Sequence, residues 1–199
     1  MKKPLILASG SKIRADLLRN AGVAITVIPP RVDEDSVKAA LLAEAAPPRD
    51  IADALAALKA RKISDKHPGA LVLGCDQVLD HNGHMLSKPR TRDEAADQLR
   101  ALRAGRHQLL SAAVICEDGR PIWRHVGVVR LVMRDVTEAY LTEYLDRNWA
   151  DIADSVGGYK LEAEGVRLFS RIEGDYFTVL GLPLLELLAY LTLRGELEG

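Results

Sequence analysis

The 199-residue sequence has little cysteine, almost no net charge and no long apolar run. Cys75 and Cys116 have neither the number nor the spacing of a zinc site or a disulfide framework, so both are predicted to be buried, reduced thiols. The 27 lysines and arginines nearly balance 28 aspartates and glutamates, which gives no sign of the basic surface typical of proteins that bind duplex nucleic acid. No run approaches the ~20 apolar residues of a membrane span, and no cleavable apolar segment follows Met1. We therefore expect a cytoplasmic protein with neither a nucleic-acid nor a membrane partner.

Signature motifs of several enzyme classes are also missing. The sequence contains no G-x-x-x-x-G-K-[ST] phosphate loop, no G-x-G-x-x-G dinucleotide fingerprint, no H-E-x-x-H and no G-x-S-x-G. Kinase, P-loop ATPase and common hydrolase functions therefore lose support. The composition, 48% hydrophobic and 28% charged, is ordinary for a globular protein, and no repeat or linker divides the chain. We expect residues 1–199 to form a single domain.

Strand-like and helix-like segments alternate along the chain. The apolar residues Leu5–Ala8 predict a buried strand, followed by a helix that Ser11 caps and Gly22 ends. Further strands are predicted at 24–28, 71–75, 109–116, 122–133 and 166–172. Ser36 can cap a short helix that runs to Leu42, and Asp50 can cap a longer one from Ile51 to about Ser64. The other helices are predicted from Thr91 or Asp93 to Leu102, from Thr137 to Asn148 and from Leu184 to Leu193. Tight turns at Asn82-Gly83 and Asp118-Gly119 join neighbouring strands. The pattern predicts an α/β fold with a mixed sheet.

The turn after the first strand has the composition of an anion site. A helix N-terminus exposes N–H groups and a partial positive charge, and the hydroxyls of Ser9 and Ser11 with Arg14 would complete such a site. The alternative, a serine-capped surface helix with a solvated arginine, is the commoner arrangement for such a segment taken alone. The motif needs partners elsewhere in the chain.

Acidic and basic candidates for those partners follow. Asp76 comes after four apolar residues at the predicted end of a strand, where a carboxylate is costly to bury unless it is paired, protonated or bound to a cation. Glu34 lies in an acidic trio that is either a metal ligand or a solvated loop. Lys59 and Lys62 share one predicted helix, and its geometry alone does not choose between them. Lys88 precedes a proline that would help to hold its direction.

Taken in order, these segments resemble the Maf family, the septum-formation-inhibitor-like nucleoside triphosphate pyrophosphatases, over nearly the whole chain. The most specific piece is Gly74-Cys75-Asp76-Gln77-Val78, which matches the family's G-x-D-[TQ]-V. The other matching pieces are Leu7-Ala8-Ser9-Gly10-Ser11 with Arg14, Val32-Asp33-Glu34, Lys59-Ala60, Lys88-Pro89, Glu94-Ala95 and Gly181-Leu182-Pro183. Each piece is weakly specific by itself, whereas the ordered set is strongly specific.

The resemblance implies cleavage between the α and β phosphates of a nucleoside triphosphate, giving the monophosphate and pyrophosphate with Mg²⁺ or Mn²⁺. Asp76 would accept the proton of the attacking water, and Asp76 and Glu34 would hold the metal. The phosphate-binding residues would be Ser9, Ser11, Arg14, Lys59 and Lys88. The implied fold is a mixed, twisted sheet flanked by helices, with two lobes around a central cleft, as in Maf and ITPase-like proteins. Members of the family often form homodimers.

Departures from the family pattern bear on the substrate. Lys12-Ile13 stands where the family usually has Pro-Arg, so one arginine is missing while Arg14 remains. The branch of the family that acts on dTTP and UTP has Thr and Gln at the positions of Gln77 and Glu162. The pair found here is closer to that of the branch acting on 7-methyl-GTP. A carboxylate such as Glu162 can accept hydrogen bonds from guanine N1–H and its amine. Ile13 replaces an aromatic residue of that branch and offers no cation–π attraction to a methylated base.

Two functions of different classes remain open at this point. One is a metal-dependent pyrophosphatase that clears non-standard or modified nucleotides, a house-cleaning enzyme. The other is a catalytically weak, nucleotide-binding regulator of cell division and septum formation. The enzyme is favoured by the joint presence of Asp76, Glu34, Lys59 and Lys88. The altered pair Lys12-Ile13 leaves the regulator as an alternative.

Overall fold

A computed structural model describes residues 3–198, and within them seven strands pair into one mixed sheet. The strands are β1 (Leu5–Ala8), β2 (Thr26–Val27), β3 (Leu71–His81), β4 (His84–Leu86), β5 (Arg106–Glu117), β6 (Arg120–Met133) and β7 (Phe169–Glu173). Their order is β2-β1-β3-β5-β6-β7, with β4 paired to β3. β1 pairs in parallel with β2 and β3, whereas β3–β4 and β6–β7 are antiparallel. The predicted mixed α/β sheet is confirmed.

Seven α-helices accompany the sheet in the described part of the chain. They are α1 (Lys12–Asn20), α2 (Glu34–Ala43), α3 (Pro48–Ser64), α4 (Arg92–Leu102), α5 (Glu138–Ile152), α6 (Tyr176–Val179) and α7 (Leu184–Leu193), with 3₁₀ helices at Val156–Gly158 and Glu164–Leu168. No helix within residues 3–198 has the length and apolar character that crossing a bilayer requires. Both cysteines are buried and unpaired, as predicted.

Contacts divide the chain into two compact units. The first unit contains residues up to 77, 110–127 and those from 175 onward; the second contains residues 78–109 and 128–174. The single domain expected over residues 1–199 stays a prediction.

The core of the first unit lies on both faces of β1 and β3. Because successive side chains of a strand point to opposite faces, Leu5 and Leu7 face one side and Ile6 and Ala8 the other. The first side packs against α1 and α7, whose buried contributors include Leu18 and the pair Leu187 and Leu191. The second side packs against α3 through Ile63. Each strand is therefore covered by helices on both faces, which explains its uninterrupted apolar run.

Gly74 lets α3 approach β3 closely, and we expect Gly74→Ala to be strongly destabilising. A Cβ at Gly74 would lie 2.2 Å from the carbonyl oxygen of Ala56 and 2.6 Å from the amide nitrogen of Ala60. Since both are backbone atoms of α3, the helix itself must move, and we expect a loss of about 3 kcal/mol in the free energy of unfolding. Urea denaturation measures it. The matched control is Gly10→Ala, whose Cβ would meet nothing nearer than 3.9 Å; a loss below 1 kcal/mol at Gly74 would contradict the close approach.

A buried aromatic cluster forms the core of the second unit. His107 of β5 lies against Tyr159 and Phe169, with ring centroids 5.7 and 5.9 Å away, and its Nε2 is 2.8 Å from the Tyr159 hydroxyl. Tyr144 of α5 donates its hydroxyl to the carbonyl of Gly158 at 3.3 Å.

Burial of His107 predicts acid-sensitive folding. Burial, with a smaller contribution from His81, lowers the His107 pKa to about 4 from its usual 6.5. Between those values the unfolded chain binds a proton that the folded chain does not, so stability falls as pH falls through that window, by up to about 3 kcal/mol. We expect His107→Gln to remove most of this dependence in urea titrations at pH 4.5 and 7.5, whereas His84→Gln, on an exposed side chain, leaves it intact. An unchanged pH dependence in His107→Gln would contradict this origin.

Several predicted boundaries are wrong, and each has a local cause. Asp33, not Ser36, caps α2: its carboxylate accepts from the Ser36 amide at 3.1 Å and the Ser36 hydroxyl at 2.7 Å, which also lowers the Asp33 pKa. Asp50 is not the cap of α3, because Pro48 occupies its first turn, where a missing N–H costs nothing. Asp76 does not end a strand, since β3 runs on to His81.

Other segments differ in extent. The strand predicted at 24–28 is reduced to Thr26–Val27, and a 3₁₀ helix replaces the start of the strand predicted at 166–172. The short helix α6 was not predicted. In contrast, Thr91 caps α4 through the Glu94 amide, and the hairpin at Asn82-Gly83 pairs Leu79 with Leu86.

Candidate active site

The turn between β1 and α1 presents two hydroxyls and a helix N-terminus. Ser9 is buried at the end of β1, and its Oγ accepts from the Ser11 amide at 3.2 Å. Ser11 is the N-cap of α1, with its Oγ 3.5 Å from the Arg14 amide. The first-turn N–H groups have no intrahelical acceptors and suit an anion.

Arg14 is held in a single direction by the surrounding backbone. Its Nε donates to the carbonyl of Gly181 at 2.8 Å, and its Nη1 lies 3.3 Å from the carbonyl of Cys75 and 3.4 Å from Ser9 Oγ. Each of these acceptors is a neutral oxygen, so the hydrogen bonds fix the guanidinium while its positive charge remains available to an anion. The structure thus brings Ser9, Ser11 and Arg14 together, and we call them the phosphate cradle.

Lys59 bridges the two predicted carboxylates. Its Nζ lies 2.7 Å from Asp76 Oδ1 and 2.8 Å from Glu34 Oε2. Lys59 is buried and Lys62 is exposed on the same helix, so the structure makes the choice that helical geometry left open. Asp76 is only 8% exposed, whereas the Glu34 side chain is 45% exposed. We call Asp76 and Glu34 the carboxylate pair.

Opposing effects act on the ionisation of Asp76. Burial raises its pKa, and the neighbouring Lys59 and Arg14 cations act in the opposite direction, lowering it. A carboxylate that is desolvated but held next to two cations is a proton acceptor with few competing water contacts. Its position next to Cys75, whose carbonyl contacts Arg14, places the carboxylate pair beside the phosphate cradle.

Three elements set this geometry. β3 carries Asp76 in the middle of the sheet, α3 carries Lys59 where Gly74 permits close packing, and α2 carries Glu34 in its first turn directly after the Asp33 cap. Because α2 packs against α3, Glu34 reaches the same ammonium as Asp76.

The carboxylate pair has the donor chemistry of a site for a hard divalent cation. Mg²⁺ and Mn²⁺ prefer oxygen ligands, and a cation bound to phosphates takes one or two protein carboxylates in addition to water. Both acidic oxygens already lie within 2.8 Å of one positive nitrogen, so they converge on a common point. No group of three or more His, Cys, Asp or Glu side chains suited to a metal occurs among residues 3–198. Asp76 and Glu34 are therefore the residues of this site that could hold such a cation.

Three residues that depart from the family pattern, Lys12, Ile13 and Gln77, belong to the first unit together with the cradle. Lys12 is exposed and pairs with Asp16 at 3.5 Å on its own helix, so it does not replace the missing arginine in this state. Ile13 is half-buried in the first turn of α1. Gln77 is half-buried, and its amide nitrogen lies 2.9 Å from Ser111 Oγ and 2.9 Å from the carbonyl of Val179.

Lys88 and Glu162 belong to the second unit. Both are exposed, and Lys88 precedes the buried Pro89 as the sequence implied. Tyr159, three residues before Glu162, is buried against His107, so the start of the segment that carries Glu162 is held to the core of that unit.

Sequence reasoning missed the partners that orient Arg14 and Gln77. The carbonyls of Gly181 and Cys75 are backbone groups and carry no side-chain signal. Ser111 had a signal, a single hydroxyl within the apolar run 109–116, which indicates a buried polar group in need of a partner.

Comparisons with known proteins identify a matching family and similar chains. The family model described as "Maf-like protein" matches residues 4–193. Proteins named "Nucleoside triphosphate pyrophosphatase" from Roseobacter denitrificans and Ruegeria pomeroyi are 70% and 66% identical, over 99% and 100% of both chains respectively. A protein named "7-methyl-GTP pyrophosphatase" from Mesorhizobium japonicum is 44% identical over 100% of both chains.

Proposed function

Because the chain belongs to the Maf family, we propose that it is a nucleoside triphosphate pyrophosphatase, which hydrolyses the bond between the α and β phosphates to give a monophosphate and pyrophosphate. The observation that supports this most directly is the Lys59-bridged carboxylate pair beside the phosphate cradle. Such a site combines donors for phosphoryl oxygens with a proton acceptor.

The chain's own residues divide the reaction between them. Phosphate oxygens bind to the cradle residues Ser9, Ser11 and Arg14 and to the first-turn amides of α1. These groups stabilise the negative charge that gathers on the oxygens in the transition state. Asp76 takes a proton from water as the water oxygen bonds to phosphorus and the bond to the leaving pyrophosphate breaks. Lys59 favours the ionised form of Asp76, which keeps the carboxylate ready to accept that proton. We place Lys88 as a further phosphate ligand.

A divalent cation completes the proposed chemistry. Asp76 and Glu34 would hold Mg²⁺ or Mn²⁺, which when bound supplies Lewis-acid charge for phosphoryl oxygens. Lys59 would then share its two acidic partners with a second positive charge. The exposed position of Glu34 lets it move toward such a cation at little cost in packing.

For the base, we propose a guanine-type substrate, including modified guanine nucleotides. Glu162 is exposed, and its carboxylate can accept hydrogen bonds from the two donors on the guanine edge, the N1–H and the amine. The relative from Mesorhizobium japonicum supports this direction by its name. Ile13 covers a base through apolar contact without a cation–π preference for the methylated form, so we expect GTP and 7-methyl-GTP to be used similarly.

A pyrophosphate-release assay tests the proposal. The panel contains GTP, 7-methyl-GTP, dTTP, UTP, CTP and ATP, each with Mg²⁺, with Mn²⁺ and with a chelator. Metal-dependent release of pyrophosphate and monophosphate, greatest with the guanine nucleotides, is the expected result. Preference for dTTP or UTP would overturn the base assignment alone; binding of every member without turnover would favour the nucleotide-binding regulator of cell division.

We also propose that the protein acts in the cytoplasm as a homodimer that clears modified nucleotides. Leu185 and Leu193 of α7 are 53% and 88% exposed, which is apolar surface available for self-association. Light scattering after size exclusion checks the dimer, and a monomeric mass at micromolar concentration would contradict it.

A further inference from the structure

A buried hydrogen-bond network links β3, β5 and α6 within the first unit. The Ser111 hydroxyl donates to the carbonyl of Thr178 at 2.7 Å, and Gln77 Nε2 lies 2.9 Å from Ser111 Oγ, 2.9 Å from the Val179 carbonyl and 3.2 Å from the Thr178 carbonyl. Ser111 has no exposed surface. Carbonyl oxygens only accept, so the amide nitrogen of Gln77 must face Thr178 and Val179, which fixes the orientation of its amide. Both amide hydrogens of Gln77 are used inside the protein.

The same network holds the last two residues of α6 and the two residues that follow the helix. We call residues 178–181 the closing turn. Its Gly181 has φ +91°, and the Gly181 amide donates to the Thr178 carbonyl at 3.1 Å. Gly127 of β6 lies against it, because a Cβ there would be 2.8 Å from the Thr178 side chain. The closing turn is therefore packed on one side by β6 and tied to β3 and β5 by Gln77 and Ser111.

The closing turn also orients the guanidinium of the phosphate cradle. The carbonyl of Gly181 accepts from Arg14 Nε at 2.8 Å, and a Cβ on Gly181 would come within 2.9 Å of Arg14 Nη2. The position of Gly181 thus sets that of Arg14. A chain of short contacts runs from Ser111 and Gln77, through the backbone of residues 178–181, to Arg14.

We propose that Ser111 and Gln77 are positioning residues for Arg14, which hold the closing turn so that its Gly181 carbonyl aims the guanidinium at the substrate phosphates. The expected effect on KM rests on the proposed function, whereas the positioning of Arg14 by Ser111 and Gln77 does not. Gln77 offers no N–H to a nucleotide base in this arrangement, so its identity influences phosphate binding through Arg14 instead of through contact with the base.

The first experiment measures the position of Arg14 without substrate. Hydrogen exchange of the Arg14 Nε–H, followed by ¹⁵N NMR and assigned with Arg14→Lys, reports its hydrogen bond to Gly181. Ser111→Ala is expected to raise the exchange rate about tenfold. Ser64→Ala is the matched control, a buried serine of the same unit whose Oγ accepts from the Gly119 amide, and should leave the rate unchanged. Gln77→Met, close in volume but without donors, should act like Ser111→Ala.

The second experiment measures kinetics with the preferred nucleotide. Ser111→Ala is expected to raise KM about tenfold and to change kcat less than threefold, because a phosphate contact of the ground state is weakened. In an Arg14→Ala background the same substitution should add nothing, since its effect passes through Arg14. Should Ser111→Ala fail to fold, Gln77→Met decides by the same measurements.

The outcomes separate the two proposals. Wild-type exchange and wild-type KM in the variants overturn the positioning role, as does an undiminished effect in the Arg14→Ala background. Faster exchange in Ser111→Ala, together with a wild-type protein that hydrolyses no nucleotide, upholds the positioning role and overturns the pyrophosphatase function.

Discussion

Asp76→Asn should lower kcat by about 10³-fold while substrate affinity stays within a few-fold of wild type. The substitution keeps the shape of the side chain and an oxygen that accepts from Lys59 Nζ, 2.7 Å away, but it removes the proton acceptor and one charge for the cation. Because the phosphate contacts proposed for the cradle do not involve Asp76, we expect nucleotide binding to persist. Single-turnover pyrophosphate release and a nucleotide titration measure the two quantities.

The stability of this variant provides an internal check. Asparagine removes the cost of an ionised buried carboxylate, and Glu34 still pairs with the buried Lys59 at 2.8 Å, so we expect the variant to melt close to wild type at pH 8. Asp80→Asn, on the same strand but bonded to the Gly83 amide, is the matched control and should retain full activity. A kcat reduced less than tenfold in Asp76→Asn would remove Asp76 from the reaction.

Lys59→Met should lower kcat/KM by about 10²-fold and destabilise the fold in a pH-dependent manner. Methionine fills the space that the Lys59 side chain occupies, but it leaves Asp76 buried beside Glu34 without its main cation. Breaking a buried ion pair on one side costs about 3 kcal/mol. The Asp76 pKa, already raised, rises further, because the cation that lowered it is gone.

The direction of the pH effect follows from proton linkage. Where the folded pKa of an acid exceeds its unfolded value, the folded chain holds a proton that the unfolded chain has lost, so stability falls as pH rises through that interval. We therefore expect Lys59→Met to lose most stability at pH 8 and distinctly less at pH 5, in urea titrations at both values. The matched control is Lys62→Met, an exposed lysine of the same helix. Equal losses at both pH values would show that the deficit comes from packing and not from Asp76.

The sequence predicted which residues of the first unit lie together in the candidate site better than it predicted the contacts between them. A buried carboxylate such as Asp76 and a polar segment ahead of a helix leave local signals that motif and periodicity reasoning can detect. The packing of α3 against β3 decides whether Lys59 or Lys62 is buried. A helical wheel shows only the helix itself, so it could not distinguish the two lysines. Gly74 permits this packing, because a Cβ at that position would lie 2.2 Å from the carbonyl oxygen of Ala56 in α3.

Backbone contacts limited the prediction most. Arg14 is oriented by the carbonyls of Gly181 and Cys75, which lie 167 and 61 residues away in the chain. Any residue type supplies a carbonyl, so no sequence pattern marks these acceptors. The helix α6 was missed for a related reason: at four residues, Tyr176–Val179 is shorter than any window in which periodicity is measurable.

The two carbonyls that hold Arg14 make the site resistant to mutational drift. A side-chain acceptor can be lost through one nucleotide change, but a main-chain oxygen survives every substitution that preserves the local path of the chain. The exception is Gly181 itself, where a Cβ would lie 2.9 Å from Arg14 Nη2, so that a substitution there would disturb the acceptor and the arginine together.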